Sequence, residues 1–206
     1  MSQKFSPPIS PLSDSHDGSV LIYKAYQPDQ LKALIGMEVL PSPVSFLARA
    51  MSGNCSQLIV FIEWATRKER EALVELCAAL RHNRITAKVP LICIMQDRHR
   101  ELLSQLEAAG VKWVAFIKPD NRALLSFLAD SKNSTGNSRR LNTVLRELCP
   151  YLNYAPVKTD KEMCVCGAYR NRMVLGRDRR NQFCENGGFA LCQFFRDFQA
   201  FEGHSR

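Results

Sequence analysis

Five of the eight cysteines fall in the last 58 residues, at Cys149, Cys164, Cys166, Cys184 and Cys192. Their spacing reads C-x14-C-x-C-x17-C-x7-C. Four thiolates suffice for either a tetrahedral Zn2+ or a [4Fe–4S] cluster, and the spacing leaves these two cofactors open. Zinc ribbons supply ligands in tight C-x2-C pairs, and this chain has none; only Cys164-Val165-Cys166 is close-set. Singly placed ligands suit an iron–sulfur cluster at least as well. Gly167, directly after Cys166, would let the backbone approach a metal or sulfide closely. Unligated thiols in a small apolar core, or a disulfide pair, are the alternatives. A region of about 60 residues with few aliphatic side chains needs a staple, which a metal would provide. The other three cysteines, Cys55, Cys77 and Cys93, lie in apolar or half-apolar stretches, where a small buried thiol is ordinary.

Arg170, Arg172, Arg177, Arg179 and Arg180 are interleaved with the candidate ligands, with Tyr169 and Phe183 nearby. Basic and aromatic residues in alternation can bind phosphate backbones and stacked bases. Asp178 and Glu185 break the run, and a solvated face is the simpler reading. The net charge of +8 is concentrated here, with 13 Lys and Arg against 7 Asp and Glu in residues 131–206. Such a charge suits nucleic acid, an acidic protein partner, or solubility alone. The histidines (His16, His82, His99, His204) are isolated in sequence and read as surface residues. No P-loop, G-x-G-x-x-G, G-x-S-x-G or H-E-x-x-H motif occurs, so no enzyme activity is expected.

The elements that must position these residues emerge from hydrophobic periodicity. Residues 1–18 are rich in Ser, Pro and Asp and are expected to form a disordered arm. Short apolar runs at Val20–Tyr23, Val39-Leu40, Leu58–Ile62, Val89–Met95 and Val111–Ile117 predict five strands. Between and after them come five amphipathic stretches. Their predicted inward faces are Leu31, Leu34 and Ile35; Val44, Leu47, Ala48 and Met51; Leu73, Leu76, Cys77 and Leu80; Leu102, Leu103, Leu106 and Ala109; and Leu124, Leu125 and Leu128. Thr66-x-x-Glu69 has the form of a capping box, and Gly110 suits a left-handed cap. This alternation predicts an α/β domain over 19–130, with a parallel sheet covered on both faces. A linker and helix are expected over 131–148, where Leu141, Val144, Leu145 and Leu148 share a face. A small, irregular, Cys-rich metal-binding domain is expected over 149–206. The apolar runs are far too short for a membrane span, and the polar, Pro-rich N-terminus lacks a leader. The expected location is the cytoplasm, where a cysteine cluster points to metal or redox chemistry.

With five βα units, Pro90 before strand four, and Gly110 ahead of a strand ending in Lys118-Pro119, residues 19–130 resemble the receiver domain of bacterial response regulators. The resemblance implies a five-stranded flavodoxin-like fold, with the Lys-Pro pair joined by a cis peptide and the lysine aimed at a phosphorylation site. The other pocket positions depart from that pattern. Glu63 stands at the phosphoacceptor aspartate, Lys24 and Ala25 at the Mg2+-binding acids, Met95 at the Thr/Ser and Ala115 at the aromatic switch. Phosphoryl transfer needs a carboxylate nucleophile and a divalent cation, so the expectation is a pseudo-receiver that does not cycle phosphate. Glu63 could instead pair with Lys24 or Lys118, or sit solvated at the strand end. The resemblance also raises homodimerisation through the face formed by the fourth helix and fifth strand.

The tail is similar to a four-cysteine bacterial module of uncertain role. The matching residues are Cys149-Pro150-Tyr151-Leu152, Cys166, and Phe183-Cys184 through Cys192 with Phe194 or Phe195. This implies Cys149, Cys166, Cys184 and Cys192 as ligands and leaves Cys164 as a spare ligand, a redox-active neighbour or a bystander. The sequence therefore predicts a non-catalytic signalling or scaffolding protein that binds a protein partner. The alternative is an iron–sulfur redox sensor whose basic tail binds nucleic acid.

Overall fold

The computed structural model describes residues 19–24, 37–62, 66–117, 125–128, 130, 138–158 and 161–203. Strands β1 (Ser19–Tyr23), β2 (Met37–Leu40), β3 (Cys55–Ile62), β4 (Leu91–Met95) and β5 (Trp113–Phe116) pair in parallel in the order β2-β1-β3-β4-β5. The order reverses beside β1, which is the doubly wound, flavodoxin-like arrangement. A sixth strand, β6 (Arg139–Arg140), joins β5 in antiparallel sense, pairing Val114 with Arg139 and Trp113 with Arg140. The sequence placed a helix start there and predicted five strands. The sixth forms because Arg140 lies over the Trp113 ring, 5.6 Å from its centroid, and the Leu141 amide donates to the Lys112 carbonyl at 2.9 Å.

Successive residues along the strands enter opposite cores. Leu21, Tyr23, Leu58, Val60, Ile62, Leu91, Cys93, Met95 and Val114 face one side. They pack beneath α1 (Pro43–Met51), α2 (Arg67–His82), α3 (Arg100–Ala108) and α4 (Leu141–Glu147). Val20, Ile22, Ile59, Phe61, Ile92, Ile94 and Ala115 face the other, against Phe127 and Leu128. Two covered faces explain why the strands read as unbroken apolar runs rather than as alternation.

Local sequence sets most helix ends. The Thr66 hydroxyl accepts the Glu69 amide at 3.3 Å and the Glu69 carboxylate accepts the Thr66 amide at 2.7 Å, closing the predicted capping box. The predicted inward faces of α2 and α3 are buried. Gly110 ends α3 with φ +84, and a Cβ there would lie 3.3 Å from the Arg81 side chain. The face of α1 differs from expectation. Phe46 and Ala50 are fully buried, while Val44 is 77% exposed and Met51 41%. The large Phe46 ring, 5.9 Å from Tyr23, sets the rotation of the helix, and Ala50 lies one turn later on the same face. Near the end of the domain, Phe127 takes the inward position predicted for Leu125, which is 37% exposed. The predicted helix with Leu31, Leu34 and Ile35, together with Leu124, lies outside the described residues, as do residues 1–18 and linker residues 131–137.

Beyond α4 the chain forms an antiparallel sheet, β7 (Leu152–Lys158), β8 (Lys161–Cys166) and β9 (Met173–Val174), ordered β7-β8-β9. A helical turn over residues 177–184 and α5 (Gln193–Gly203) come after it. This region was expected to be irregular. Its regularity was hidden because cysteines, tyrosines and phenylalanines supply much of its core, with Cys149, Leu152, Cys166, Leu175, Cys184 and Phe195 buried together. Among the described residues no helix is long and apolar enough to cross a membrane.

The rotation of α1 is testable. Phe46→Ala should cost about 3–5 kcal/mol in urea unfolding, whereas Val44→Ala should stay within about 0.5 kcal/mol. Equal effects would contradict the observed face.

Candidate functional site

The carboxyl edge of the parallel sheet carries the pocket positions named from sequence. Lys24, just after β1, is 4% exposed, and its Nζ lies 5.3 Å from the Phe61 ring centroid. Its amide donates to the Leu40 carbonyl at 3.3 Å, which holds the end of β1 against β2. Met95 ends β4 in the core, its carbonyl accepting the Ile117 amide at 2.9 Å, and Ala115 is buried on the opposite face. Glu63, Lys118 and Pro119 lie outside the described residues, as do Ala25 and any pairing of Glu63.

Cys149, Cys166 and Cys184 are buried in one core with Leu152, Leu175 and Phe195, and Cys164 and Cys192 pack partly buried against it. Cys149 lies in the turn between α4 and β7, Cys166 ends β8, Cys184 ends the helical turn, and Cys192 precedes α5. The Cys149 amide donates to the Cys184 carbonyl at 2.8 Å. The Cys184 side chain beside it holds the Cys149 thiol down to about 7, and Cys149 in turn raises that of Cys184. The Leu152 amide donates to the Cys149 carbonyl at 3.1 Å, and the nearby Tyr169 and Ala168 amides favour a thiolate at Cys166. Burial nevertheless pushes the Cys166 thiol up. All eight cysteines are free. Among the described residues no group of three or more His, Cys, Asp or Glu side chains stands at metal-holding distance. Gly167 sits in a tight contact, where a Cβ would lie 2.7 Å from the Asn153 side-chain nitrogen. It lets β8 close on the Cys149 turn, its amide donating to the Tyr151 carbonyl at 2.7 Å.

Cys164 stands apart from this cluster's hydrogen bonds and accepts one from Arg180 at 3.2 Å. Arg180 is half-buried and pairs with Glu185 at 2.7 Å, so it is not part of a free basic surface. Arg170, Arg172, Arg177 and Arg179 are exposed. The Arg179 guanidinium lies over Phe194, 4.7 Å from the ring centroid, with Tyr169 against the same ring.

Sequence reasoning missed His99. It is not a surface residue but the pivot between the two sheets. Its Nδ1 caps α3 by accepting the Leu102 amide at 3.2 Å, and its Nε2 lies 3.1 Å from the Glu162 carboxylate. Its ring stacks on Tyr154 at 3.7 Å between centroids. Arg70 from α2 donates to the same Glu162 at 2.6 Å, and the Tyr154 hydroxyl accepts the Arg100 amide at 3.1 Å. Beside it Arg98 donates to Glu147 at 3.2 Å and to the Glu185 carbonyl at 2.7 Å, next to Cys184. Arg139 pairs with the same Glu147. Partners 63 and 92 residues apart leave no local signature, and histidine is not among the preferred N-cap residues.

No family model matches the sequence, and no curated protein matches it. Among solved structures, the chemotaxis protein CheY4 of Vibrio cholerae is similar at 16% identity and a TM-score of 0.41 over 54% of this chain and 96% of that one. A putative pilus assembly-related protein of Burkholderia pseudomallei is similar at 17% identity and a TM-score of 0.39, over 55% and 88%.

The joint should respond to pH. Burial holds the His99 imidazole below its usual 6.5, the Arg70 charge adds to this, and the Glu162 and Glu101 carboxylates oppose it without offsetting it. Burial pushes the Glu162 carboxyl up, but hydrogen bonds from Arg70 and His99 outweigh this and keep it below the usual range. The unfolded chain therefore takes up the histidine proton first as pH falls, and stability declines below about pH 6.5. Glu162 adds a further loss at more acid pH. His99→Asn preserves a cap and removes the titration, so the melting temperature of this variant should fall less between about pH 7.5 and about pH 5.5. A decline as steep as that of the parent would show that other groups carry it.

Proposed function

We propose that this chain is a non-catalytic signalling or scaffolding protein that acts by binding a protein partner, without cycling phosphate. The observation that carries this reading is the buried Lys24 at the end of β1, over Phe61. Aspartyl phosphorylation on a sheet of this topology needs carboxylates after the first strand that gather a divalent cation, and the described end of β1 carries Lys24 there, while Met95 stands at the Thr/Ser position after β4. An edge without that acidic pair lacks the ligands for the cation that would neutralise a transferring phosphoryl group. The fixed face is then available for recognition in one conformation. In the same reading a metal held by the clustered thiols stabilises the C-terminal module.

Incubation with acetyl phosphate and Mg2+ should leave the intact mass unchanged. A Mg2+-dependent phosphoryl adduct would sink the phosphate-independent reading.

A second reading, an iron–sulfur redox sensor with a nucleic-acid-binding tail, draws on the exposed Arg170, Arg172 and Arg177 beside the Arg179–Phe194 stack. The inward-turned Arg180 weakens it. Fluorescence anisotropy with labelled DNA and RNA separates the two. The first reading expects no specific binding at physiological salt, whereas tight binding that weakens steeply with salt would favour the second.

A further inference from the structure

We propose that the arginine-rich surface of the C-terminal module, built around Tyr169 and Phe194, is the docking site for an acidic peptide segment that also carries apolar side chains. This rests on the protein-binding reading of the chain and assigns to it a surface and a partner chemistry.

Charge is sorted across the module. Residues 168–183 hold five arginines, at positions 170, 172, 177, 179 and 180, against one acid, Asp178. Arg180 turns inward to Cys164 and Glu185, whereas Arg170, Arg172, Arg177 and Arg179 are exposed. Glu162 and Glu185 meet bases within the fold, Glu162 through Arg70 and His99 and Glu185 through Arg180. With these carboxylates engaged inside, the outward charge of the stretch is positive, which favours an acidic partner both in approach and in register.

The outward cations are held in place. The Arg179 guanidinium lies 4.7 Å from the Phe194 centroid and 6.0 Å from that of Phe183, and Tyr169 meets Phe194 edge-on at 5.5 Å. A guanidinium stacked on rings keeps its N–H donors in its own plane, at the rim, where a carboxylate accepts two of them. Directly after Tyr169, Arg170 and Asn171 have φ +51 and +58, a left-handed conformation that arginine rarely adopts. Backbone hydrogen bonds hold this turn. The Arg170 amide donates to the Gly167 carbonyl at 2.9 Å, the Asn171 amide to that of Cys166 at 2.9 Å, and the Arg172 amide to that of Tyr169 at 3.0 Å. The Asn153 side-chain amide donates to the Asn171 side-chain oxygen at 2.9 Å. Strain kept in so well determined a turn points to function, and a turn ordered beforehand loses little entropy on binding.

Apolar surface lies beside the charge. Tyr169 is 51% exposed and Leu191 75%. Leu191 stands three residues before Phe194, so the chain keeps the two backbones within about 10 Å of each other. Tyrosine and arginine around exposed apolar side chains are the composition of protein-interface anchors. A single strand of nucleic acid instead needs free aromatic faces for successive bases. Phe183 and Phe194 are half-buried with Arg179 over them, which leaves Tyr169 as the exposed ring of this set. Carboxylates on the arginines, with an apolar side chain against Tyr169 and Leu191, match what the surface presents.

The test is selection of a random peptide display library on the full-length protein under reducing conditions, followed by fluorescence anisotropy of the enriched peptides at physiological salt. Peptides rich in Asp and Glu with interspersed apolar residues are expected. Arg172→Glu and Arg177→Glu, both at exposed positions, should keep the parent melting temperature and each weaken binding by about tenfold or more. Peptides that bind both variants as tightly as the parent would overturn this surface while leaving the protein-binding reading in place. Enriched peptides without acidic residues would overturn the partner chemistry. Labelled single-stranded DNA that displaces the peptides, and is itself lost in the same variants, would overturn the acidic partner and assign the surface to nucleic acid. A library that yields no enriched peptide would overturn both the surface and the protein-binding reading.

Discussion

A parallel sheet must be covered on both faces, and the rest of this molecule is arranged around that constraint. The crossover helices α1, α2 and α3 leave part of one face open near β5. Helix α4 closes it with Leu141, Val144 and Leu148, all essentially buried. Burying three such side chains contributes several kcal/mol, on the order of 1.5–3 kcal/mol each. The cover also fixes where the C-terminal module begins. Cys149 comes directly after Leu148, so the first thiol of the cluster is anchored to the hydrophobic core of the α/β sheet. The strand β6 and α4 together occupy the outer side of β5, next to α3, which is the face on which the receiver resemblance places dimerisation.

The second sheet is held against the first by polar contacts as well as by α4. His99, Tyr154, Glu162 and Arg70 form one half-buried network, and Arg98 forms another with Glu147 and the Glu185 carbonyl. Each of the two carboxylates is shared by two bases: Arg70 and His99 both meet Oε2 of Glu162, and Arg98 and Arg139 meet Glu147. Such networks lose disproportionately when one member is removed, because the remainder is left buried and unpaired. Arg98 also lies over Phe116 at the end of β5, 5.4 Å from its centroid. One side chain thus touches the carboxyl edge of the large sheet and the backbone beside Cys184, giving the two regions a direct mechanical connection.

The basic composition acquires a different meaning once the side chains are placed. The excess of charge on the tail suggested an outward field for nucleic acid. Part of it is directed inward: Arg180 to Cys164 and Glu185, and Arg139 to Glu147. Lys24 is likewise withdrawn over Phe61. These cations serve acceptors and aromatic faces within the fold, whereas Arg146, Lys158, Lys161, Arg196 and the arginines near Tyr169 and Phe194 remain exposed.

The alternation of elements, the capping box at Thr66, the glycine stop after α3 and the inward faces of α2 and α3 are written in the sequence. They depend on residues within a turn or two of each other, and on strands apolar enough to be buried on both sides. The absence of an acidic pair at the end of β1 and the four matching thiols were equally legible, being matters of residue type. Only the tertiary structure decided how strands are ordered, that Arg139–Arg140 adds to the sheet, and that Phe46 rather than Val44 faces the core. It also separated Cys166, buried at the end of β8, from Cys164, which Arg180 engages. The role of His99 was invisible for the same reason. Its partners come from α2, β7 and β8, and contacts made across such separations in the chain exist only after the sheets have packed.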